Sequence, residues 1–336
     1  GDGHGAVSNL FSRFGHETLT YLLKLLYTSP RSYNVLPIVA TSHRGNRFPD
    51  LFIGEAKPLG WTDWEFCPHD LNRSSKHMPS EQNLRQHALD IFQAALDAVD
   101  PEEAVKCFVQ VKGSALTVDG MDYDLDDFNS ITVVGAGKAD APMAAALESL
   151  LGEQITNGLL NVKYGHTQPL DRIRLNEAGH PVPDENGLKG AKEIVELVET
   201  LGEDNLVICL LSGGGSALLP LPAEGISLED KQEVTKLLLA CGANIQEINT
   251  VRKHLSAVKG GQLARAAAPA TLISLVLSDV IGDQLDAIAS GPTVPDTTTF
   301  AEVSDLFNRY DLSPKLPAHI IRRIWDGIEE KISDTP

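Results

Sequence analysis

The chain has 336 residues, of which 42% are hydrophobic and 22% charged, and its formal net charge is −18 at pH 7. This composition is typical of a globular protein with two domains or one large one. The acidic balance disfavours binding to nucleic-acid phosphates or to an anionic membrane surface, and no apolar run reaches the ~20 residues that a membrane-spanning helix needs. We therefore expect neither nucleic acid nor a membrane as a partner, whereas a local basic cluster could still bind a small anion.

The four cysteines are widely spaced in the sequence and form no CxxC pair. This usage predicts a reducing, cytoplasmic environment and no zinc site. Cys209 lies within an apolar run, where we expect it to pack as a small hydrophobic side chain. The first residues have neither a basic leader nor an apolar signal core.

Residues 1–80 differ in character from the remainder. They contain one short helix candidate, "ETLTYLLKLLYTSP", and otherwise polar stretches without helical or strand periodicity. Their histidines have no metal-ligand spacing. We expect residues 1–80 to be a partly irregular appendage of unknown role, and residues 81–336 to form an α/β domain.

Regular patterns begin at about residue 80. They predict a helix over 84–99, a second helix opened by Asp100 and Pro101, and a hairpin around Asp119-Gly120. Four apolar strands follow, in "SITVVGAG", "GLLNVKYG", "NLVICLLS" and "TLISLVLSD", with helices between them and a final helix in "AHIIRRIWDGIEEK". This alternation predicts an open, mostly parallel sheet with helices on both faces, in which ligands bind at the carboxyl ends of the strands.

The first strand is followed by "GAGKA", Gly135 to Ala139. Its glycines let the backbone approach a ligand, and Lys138 opens the next helix, where a cation opposes the helix dipole unless an anion compensates it. This is not a P-loop. It is also not a complete dinucleotide fingerprint, because Asp140 stands where a third glycine or an alanine is required. A tight turn with a solvated lysine is the alternative interpretation.

A second candidate loop is "SGGGS", which comprises Ser212, Gly213, Gly214, Gly215 and Ser216. Successive backbone N–H groups in such a loop form a concave anion site, to which the serine hydroxyls add donors. Prolines at 220 and 222 prevent a long helix after the loop, so the backbone amides rather than a helix dipole would bind phosphate. The alternative is a flexible surface loop.

Two carboxylates, Asp279 and Asp283, flank a glycine after the last apolar strand. Carboxylates next to phosphate are suited to holding Mg²⁺ or to accepting a proton from a hydroxyl. The alternative is that Asp279 caps a turn and that Asp283 is solvated.

Two further segments carry weaker signals. "NTVRKHLSAVKGG" concentrates basic residues in an acidic chain, and a helical reading places Arg252 and Lys259 on one face, where they would neutralise a carboxylate or polyphosphate or form a solvated basic face. "GHPVPD" is a rigid turn that presents His180 or Asp184, although Asp184 could instead cap the following helix.

Taken together, "VVGAGKA", "GHPVPDENG", "LLSGGGSALL", "GANIQEINTVRKHLSAVKGGQLA" and "LSDVIGDQLDAIASGPTVPD" resemble the class II glycerate kinases, the family with the MOFRL-type domain. The resemblance runs from about residue 84 to about residue 303. It implies a Rossmann-like three-layer α/β/α sandwich that phosphorylates D-glycerate to 2-phosphoglycerate with ATP and Mg²⁺.

The same resemblance implies roles for individual residues. It points to Lys138, Asp279 and Arg252 as catalytic residues and to Asp279 and Asp283 as metal ligands. It leaves the acid that deprotonates the hydroxyl open, and Asp279 is our choice. The nucleotide-binding residues that it implies are the 212–216 loop together with Glu247, Asn249 and Lys253. The resemblance also implies a further C-terminal domain, which we expect to be missing from this chain. We expect a small-molecule substrate and, as one option, a homo-oligomer.

Two other functions remain open at this point. A truncated chain could bind a nucleotide or a small acid without catalysing any reaction. A hydroxypyruvate reductase is the second alternative, and the incomplete dinucleotide fingerprint argues against it. Only the family resemblance favours 2-phosphoglycerate over 3-phosphoglycerate as the product.

Overall fold

The computed structural model describes residues 35–41, 50–53 and 81–336. The described residues up to Asp100, apart from 35–41 and 50–53, belong to one compact unit and contain helix α1, Glu81–Asp97. The second unit takes in residues 35–54 and 101–336 and holds the remaining elements. Within the described residues, no helix combines the length and the apolar character needed to cross a membrane.

The strands of the second unit form two sheets. They are β1 Val35–Thr41, β2 Asp50–Ile53, β3 Val109–Lys112, β4 Ala115–Val118, β5 Met121–Asp124, β6 Ser130–Ala136, β7 Ile155–Lys163, β8 Arg174–Ala178, β9 Asn205–Leu211 and β10 Thr271–Leu277. Strands β3, β4 and β5 make a small antiparallel sheet, and the other seven form the main sheet in the order β2-β1-β10-β9-β6-β7-β8.

Most helices of this unit lie between the strands, and the last two follow β10. They are α2 Pro101–Phe108, α3 Asp140–Leu151, α4 Glu185–Glu199, α5 Gly215–Leu218, α6 Leu228–Ala240, α7 Ile245–His254, α8 Gln262–Ala267, α9 Phe300–Arg309 and α10 Ala318–Ile328. Helices α6, α7 and α9 each begin with a capping box, in which a Ser, Asn or Thr and the acidic residue three positions later satisfy each other's backbone N–H groups.

Five strands of the main sheet, β10-β9-β6-β7-β8, are parallel, while β1 and β2 pair antiparallel at one side. Successive parallel strands add outward from β6 through β7 to β8, and the chain then returns to place β9 and β10 on the other side of β6. The direction of winding therefore reverses between β6 and β9, which is the position where open α/β sheets bind ligands.

The central strands are buried on both faces, as their continuous Val, Ile and Leu content predicts. Val134, Val207 and Cys209 join the side chains of α4 and α8 in one core cluster. Helix α3 contacts β6, β7 and β9. A second cluster joins α6, α7, α9 and α10 around Phe300 and Phe307. The sheet is thus a middle layer between helices, and the expected three-layer α/β/α fold is confirmed.

Most elements were predicted from the sequence. The hairpin turns at Asp119-Gly120, as predicted. The prediction missed β3, β8, α5 and α9. It also treated residues 1–80 as an appendage, whereas β1 and β2 from that segment pair with the main sheet. The helix candidate before Pro30 lies outside the described residues.

Candidate active site

The loops after β6 and β9 meet at the carboxyl edge of the sheet. The backbone N–H of Lys138 donates to the carbonyl of Gly213 over 3.0 Å, and the N–H of Ala139 donates to Ser212 Oγ over 3.0 Å. The two glycine-containing segments identified in the sequence therefore form one structure, although they lie more than 70 residues apart in the chain.

Asp140, the first residue of α3, completes this junction. Ser212 Oγ donates to Asp140 Oδ1, and the Asp140 side chain is fully buried. Within the described part of the chain, Asp140 Oδ2 has no hydrogen-bond partner. Burial raises the pKa of Asp140 to about 8, against the opposing effect of the Ser212 hydrogen bond. The carboxyl group is thus held in its neutral form around neutral pH.

The glycines of both loops are required by close packing. A Cβ atom on Gly137 would overlap Ser212 Oγ and Asp140 Oδ1, and one on Gly213 would overlap the carboxylate of Asp279. Gly214 has φ +93°, which L side chains rarely adopt. The triple-glycine sequence therefore serves close approach and a left-handed turn.

Charged side chains gather around the same loop. A Cβ on Gly214 would lie 3.0 Å from the His180 ring and 3.3 Å from Lys138 Cε, while Asp279 lies against Gly213. Residues from the carboxyl ends of β6, β9 and β10 therefore converge here, as the sequence predicted, and His180 joins them. This arrangement can offer backbone amides, a lysine and a carboxylate to one anionic ligand.

His180 was given too little weight at the sequence level. Burial lowers the pKa of His180, and the cations Lys138 and Lys163 lower it further, while the Asp279 carboxylate opposes them. The His166 ring nitrogen Nδ1 lies 3.1 Å from the Lys138 carbonyl. The signal for His180 was the "GHPVPD" turn, whereas nothing in the sequence around Lys163 or His166 marked them. In the same turn, Asp184 caps α4 through the N–H of Gly187.

Ser216, at the end of the glycine loop, is linked to α7 through Ser290. Ser216 Oγ lies 2.9 Å from Ser290 Oγ, which donates to Asn249 Oδ1 over 3.1 Å. Lys259 Nζ donates to the Ser216 carbonyl over 2.8 Å. Asn249, a predicted nucleotide-binding residue, therefore reaches this loop through Ser290.

Two other predicted binding residues make internal contacts instead. The Glu247 carboxylate accepts the N–H of Asn244 in the α7 capping box and pairs with Arg309 over 2.7 Å. Lys253 is buried and pairs with Asp296 over 3.1 Å and with Asp286 over 3.4 Å. These contacts account for both side chains without a ligand.

The helical argument for Arg252 and Lys259 was wrong. Helix α7 ends at His254, so Lys259 is not on it. Lys259 nevertheless lies close enough to Arg252 for that charge to lower its pKa, because the chain turns back after α7.

The predicted metal ligands follow β10. Asp279 is exposed beside Gly213, and Asp283 has a left-handed backbone with φ +50°. The described residues contain no group of three or more His, Cys, Asp or Glu side chains that could by itself hold a metal ion. Mg²⁺ is commonly held by one or two carboxylates together with substrate phosphates and water, and Asp279 at the glycine loop fits that mode.

Comparison with known proteins agrees with this geometry. Residues 87–325 match the family described as a domain of unknown function, DUF4147. The chain is 43% identical to a glycerate 2-kinase of Pyrococcus horikoshii over 75% of this chain and 56% of that protein. It is also 46% identical to a protein of Agrobacterium vitis, provisionally named a hydroxypyruvate reductase, over 69% of this chain and 50% of that one.

A solved structure supports the same relationship. The glycerate kinase of Thermotoga maritima superposes with a TM-score of 0.64 at 41% identity, over 76% of this chain and 56% of that one. The chain spans about half the length of these relatives. With more than two thirds of its residues inside the family match, the chain belongs to the DUF4147 family, and the resemblance to glycerate kinases inferred from its motifs is confirmed.

Proposed function

We propose that this chain takes part in the ATP-dependent phosphorylation of D-glycerate to 2-phosphoglycerate. The observation that carries the proposal is the convergence of Lys138, the 212–216 loop and Asp279 at the point where the sheet reverses its winding. The names of the glycerate 2-kinase relatives supply the substrate, the product and the reaction class.

Phosphoryl transfer requires mainly that the enzyme position the reacting groups and neutralise the charge of the phosphates. In this proposal the backbone N–H groups of the glycine loop bind nucleotide phosphates, and Lys138 neutralises the phosphoryl group in transfer. The substrate hydroxyl oxygen forms a bond to the γ-phosphorus while the bond to the bridging β–γ oxygen breaks and ADP leaves. The hydroxyl proton passes to Asp279, which lies beside the loop.

Magnesium fits the proposal through Asp279 and Asp283. When bound with a nucleotide, it would neutralise phosphate charge, which is the usual role of the metal in such reactions. His180 is a second candidate base, because its lowered pKa keeps the ring neutral near pH 7 and it lies beside Lys138 and Gly214.

The test is an ADP-release assay on the purified chain with D-glycerate and Mg-ATP, with phosphorus NMR to distinguish 2- from 3-phosphoglycerate. Replacement of Lys138 (K138Q) is expected to lower kcat by roughly a hundredfold or more, since it removes a charge at the transferring group. The matched control is K189Q, which removes an exposed lysine on α4. The proposal fails if the wild-type chain shows neither turnover nor nucleotide binding.

A non-catalytic module that binds a nucleotide or a small acid is the second candidate. In that case ligands would raise the melting temperature without ADP release. The reductase alternative would require a nicotinamide cofactor at a glycine turn whose third position is occupied by the buried Asp140. NADH oxidation with hydroxypyruvate would support it, and its absence would exclude it.

A further inference from the structure

Two buried lysines contact the segment that follows the glycine loop, and a half-buried arginine lies near enough to act on their charges. They are Lys231 on α6, Arg252 on α7 and Lys259 in the turn after α7, and we refer to them as the cation trio. Lys231 and Lys259 are 9% and 1% exposed, which is unusual for lysine.

The two lysines hold one backbone segment. Lys231 Nζ donates to the carbonyls of Pro220 and Leu221 over 2.9 and 3.3 Å, and Lys259 Nζ donates to those of Ser216 and Leu219 over 2.8 and 3.0 Å. These carbonyls follow directly after the triple glycine. Both ammonium groups are therefore fixed next to the proposed active site.

In the part of the chain that the structure describes, no carboxylate pairs with the trio. Among the described residues, neither lysine forms an ion pair, and the Arg252 guanidinium has neither an ion pair nor a hydrogen bond. By contrast Lys253, the neighbour of Arg252 on α7, is paired with two aspartates. Arg252 is half-buried, and none of its guanidinium nitrogens is a buried atom without a partner, so they stay open to solvent. An arginine does not lose its proton, and its charge is therefore available to an anionic ligand.

The three charges also act on each other. Burial lowers the pKa of Lys231 to about 7, and the positive charge of Arg252 contributes to the same lowering. Burial, followed by Lys231 and Arg252, lowers the pKa of Lys259 well below its usual value. Burial lowers the pKa of Arg252 as well. An anion placed at Arg252 would oppose the contribution that Arg252 makes to lowering the pKa of both lysines.

A phosphoryl transfer from ATP to a hydroxy acid needs separate binding sites for the phosphates and for the acid's carboxylate. The position of the trio fits this requirement. Gly213 and Gly214 face Lys138 and Asp279, whereas Ser216 faces Lys259. The first part has a carboxylate beside it, which suits phosphates held through a metal and repels a substrate carboxylate. In the described residues, the second part contains Arg252 and two lysines that donate hydrogen bonds to the loop backbone. The planar guanidinium of an arginine matches a carboxylate with two parallel hydrogen bonds.

We propose that Arg252, supported by Lys231 and Lys259, binds the carboxylate of the small hydroxy acid on which this chain acts. This inference rests on the proposed function and divides the site into a phosphate part at Gly213 and Gly214 and a carboxylate part at Arg252.

The experiment is calorimetric titration of the full chain, without nucleotide, with D-glycerate, glycolate and L-lactate. The R252Q variant is expected to bind these acids at least tenfold more weakly than wild type, while its affinity for ATP changes less than twofold. Because Arg252 makes no internal hydrogen bond, its replacement should not lower the melting temperature. The control R265Q removes an exposed arginine on α8 and should alter neither ligand's affinity.

A second readout is proton uptake. An anion at Arg252 raises the pKa of Lys231, so acid binding at about pH 7.5 should take up protons, measured as a dependence of the binding enthalpy on the ionisation enthalpy of the buffer. The charged groups acting on Lys231 are Arg252 and Lys259, so the K231M variant should show a smaller uptake.

The outcomes separate this inference from the proposed function. If wild type phosphorylates D-glycerate and R252Q binds it equally well, the function stands and the inference is wrong. If R252Q loses ATP affinity as much as acid affinity, Arg252 belongs to the phosphate part and the inference is again wrong. If wild type does not phosphorylate D-glycerate but binds glycolate or L-lactate through Arg252, the function fails and the inference stands. If no hydroxy acid binds at all, both are overturned.

Discussion

Asp140 shows how one residue changes meaning between sequence and structure. In the sequence, Asp140 was notable only because it stands where a dinucleotide fingerprint requires a third glycine or an alanine. In the structure its buried carboxyl accepts the hydroxyl of Ser212 and so joins the loops after β6 and β9. The sequence could not indicate this, because the partner lies 72 positions away and only the strand order brings the two together.

The raised pKa of Asp140 predicts a pH-dependent stability. Unfolded, the group ionises near its ordinary value of 3.8, whereas in the folded chain it stays protonated up to about 8. The folded state therefore binds more protons between these values, and its contribution to stability is lost as the pH rises from about 4 to 8.

The isosteric variant D140N cannot ionise and should lack this loss. We expect the free energy of unfolding of D140N, minus that of wild type, to increase by a few kcal/mol between pH 5 and pH 8. The reason is that wild type loses stability over this range, and one pKa unit is worth about 1.4 kcal/mol. Chemical denaturation at several pH values measures this difference. D305N, at an exposed position on α9, is the control, and parallel curves for D140N and wild type would contradict the prediction.

Gly137 predicts a steric effect at the same junction. An alanine there would push against Ser212 Oγ and Asp140 Oδ1, and the neighbouring backbone is itself held by hydrogen bonds. We expect G137A to lose several kcal/mol of stability, or to fold with the two loops displaced and nucleotide binding lost. In the control G202A, the nearest atom to the new Cβ would be 3.8 Å away, so its melting temperature should stay close to that of wild type.

At the scale of elements, local patterns were sufficient wherever burial was strong. The apolar runs of β6, β9 and β10 and the N-cap Asp184 of α4 were recognisable in the sequence. Strand β8 was missed because "RLNEA" is half exposed at an edge of the sheet and lacks the apolar content of the central strands. The extent of α7 was misjudged because its chain reversal after His254 depends on tertiary contacts.

Helix α7 carries Asn249 and Arg252, and its first turn is fixed by Asn244 and Glu247. The Asn244 side chain accepts a hydrogen bond from the N–H of Glu247 over 3.0 Å, and the Glu247 carboxylate accepts one from the N–H of Asn244 over 2.9 Å. Removing the cap in N244A should lower the unfolding free energy by about 1 kcal/mol. The replacement N244S keeps a capping oxygen and should retain most of that stability. Equal losses in both variants would show that the cap contributes nothing.

For the whole molecule, the fold class followed from the alternation of strands and helices, but the location of the site did not. The order β10-β9-β6-β7-β8 is set by tertiary pairing, and it decides that the β6 and β9 loops are neighbours. The motifs of the resembling family supplied that information indirectly. The cation trio could not be predicted from the sequence, because Lys231 lies in an amphipathic helix, where a lysine is ordinarily solvated.

A ligand that binds only the folded chain should stabilise it as a whole. At a hundred times its dissociation constant, Mg-ATP is expected to add about 2.7 kcal/mol, which raises the melting temperature by several degrees. Differential scanning calorimetry with and without EDTA measures the effect and its dependence on the metal. An unchanged melting temperature at millimolar Mg-ATP would contradict the nucleotide site.

The strand order also has a consequence for the chain during its synthesis. Residues 130–163 provide the first side of the cleft, but its second side comes from residues after 205 and its support at Ser290 comes later still. On the proposed function, a nascent chain on the ribosome should not retain nucleotide until nearly all of this α/β unit has emerged. Capture of stalled translation products on immobilised ATP should accordingly rise in one step with chain length, after Ser290 has cleared the exit tunnel.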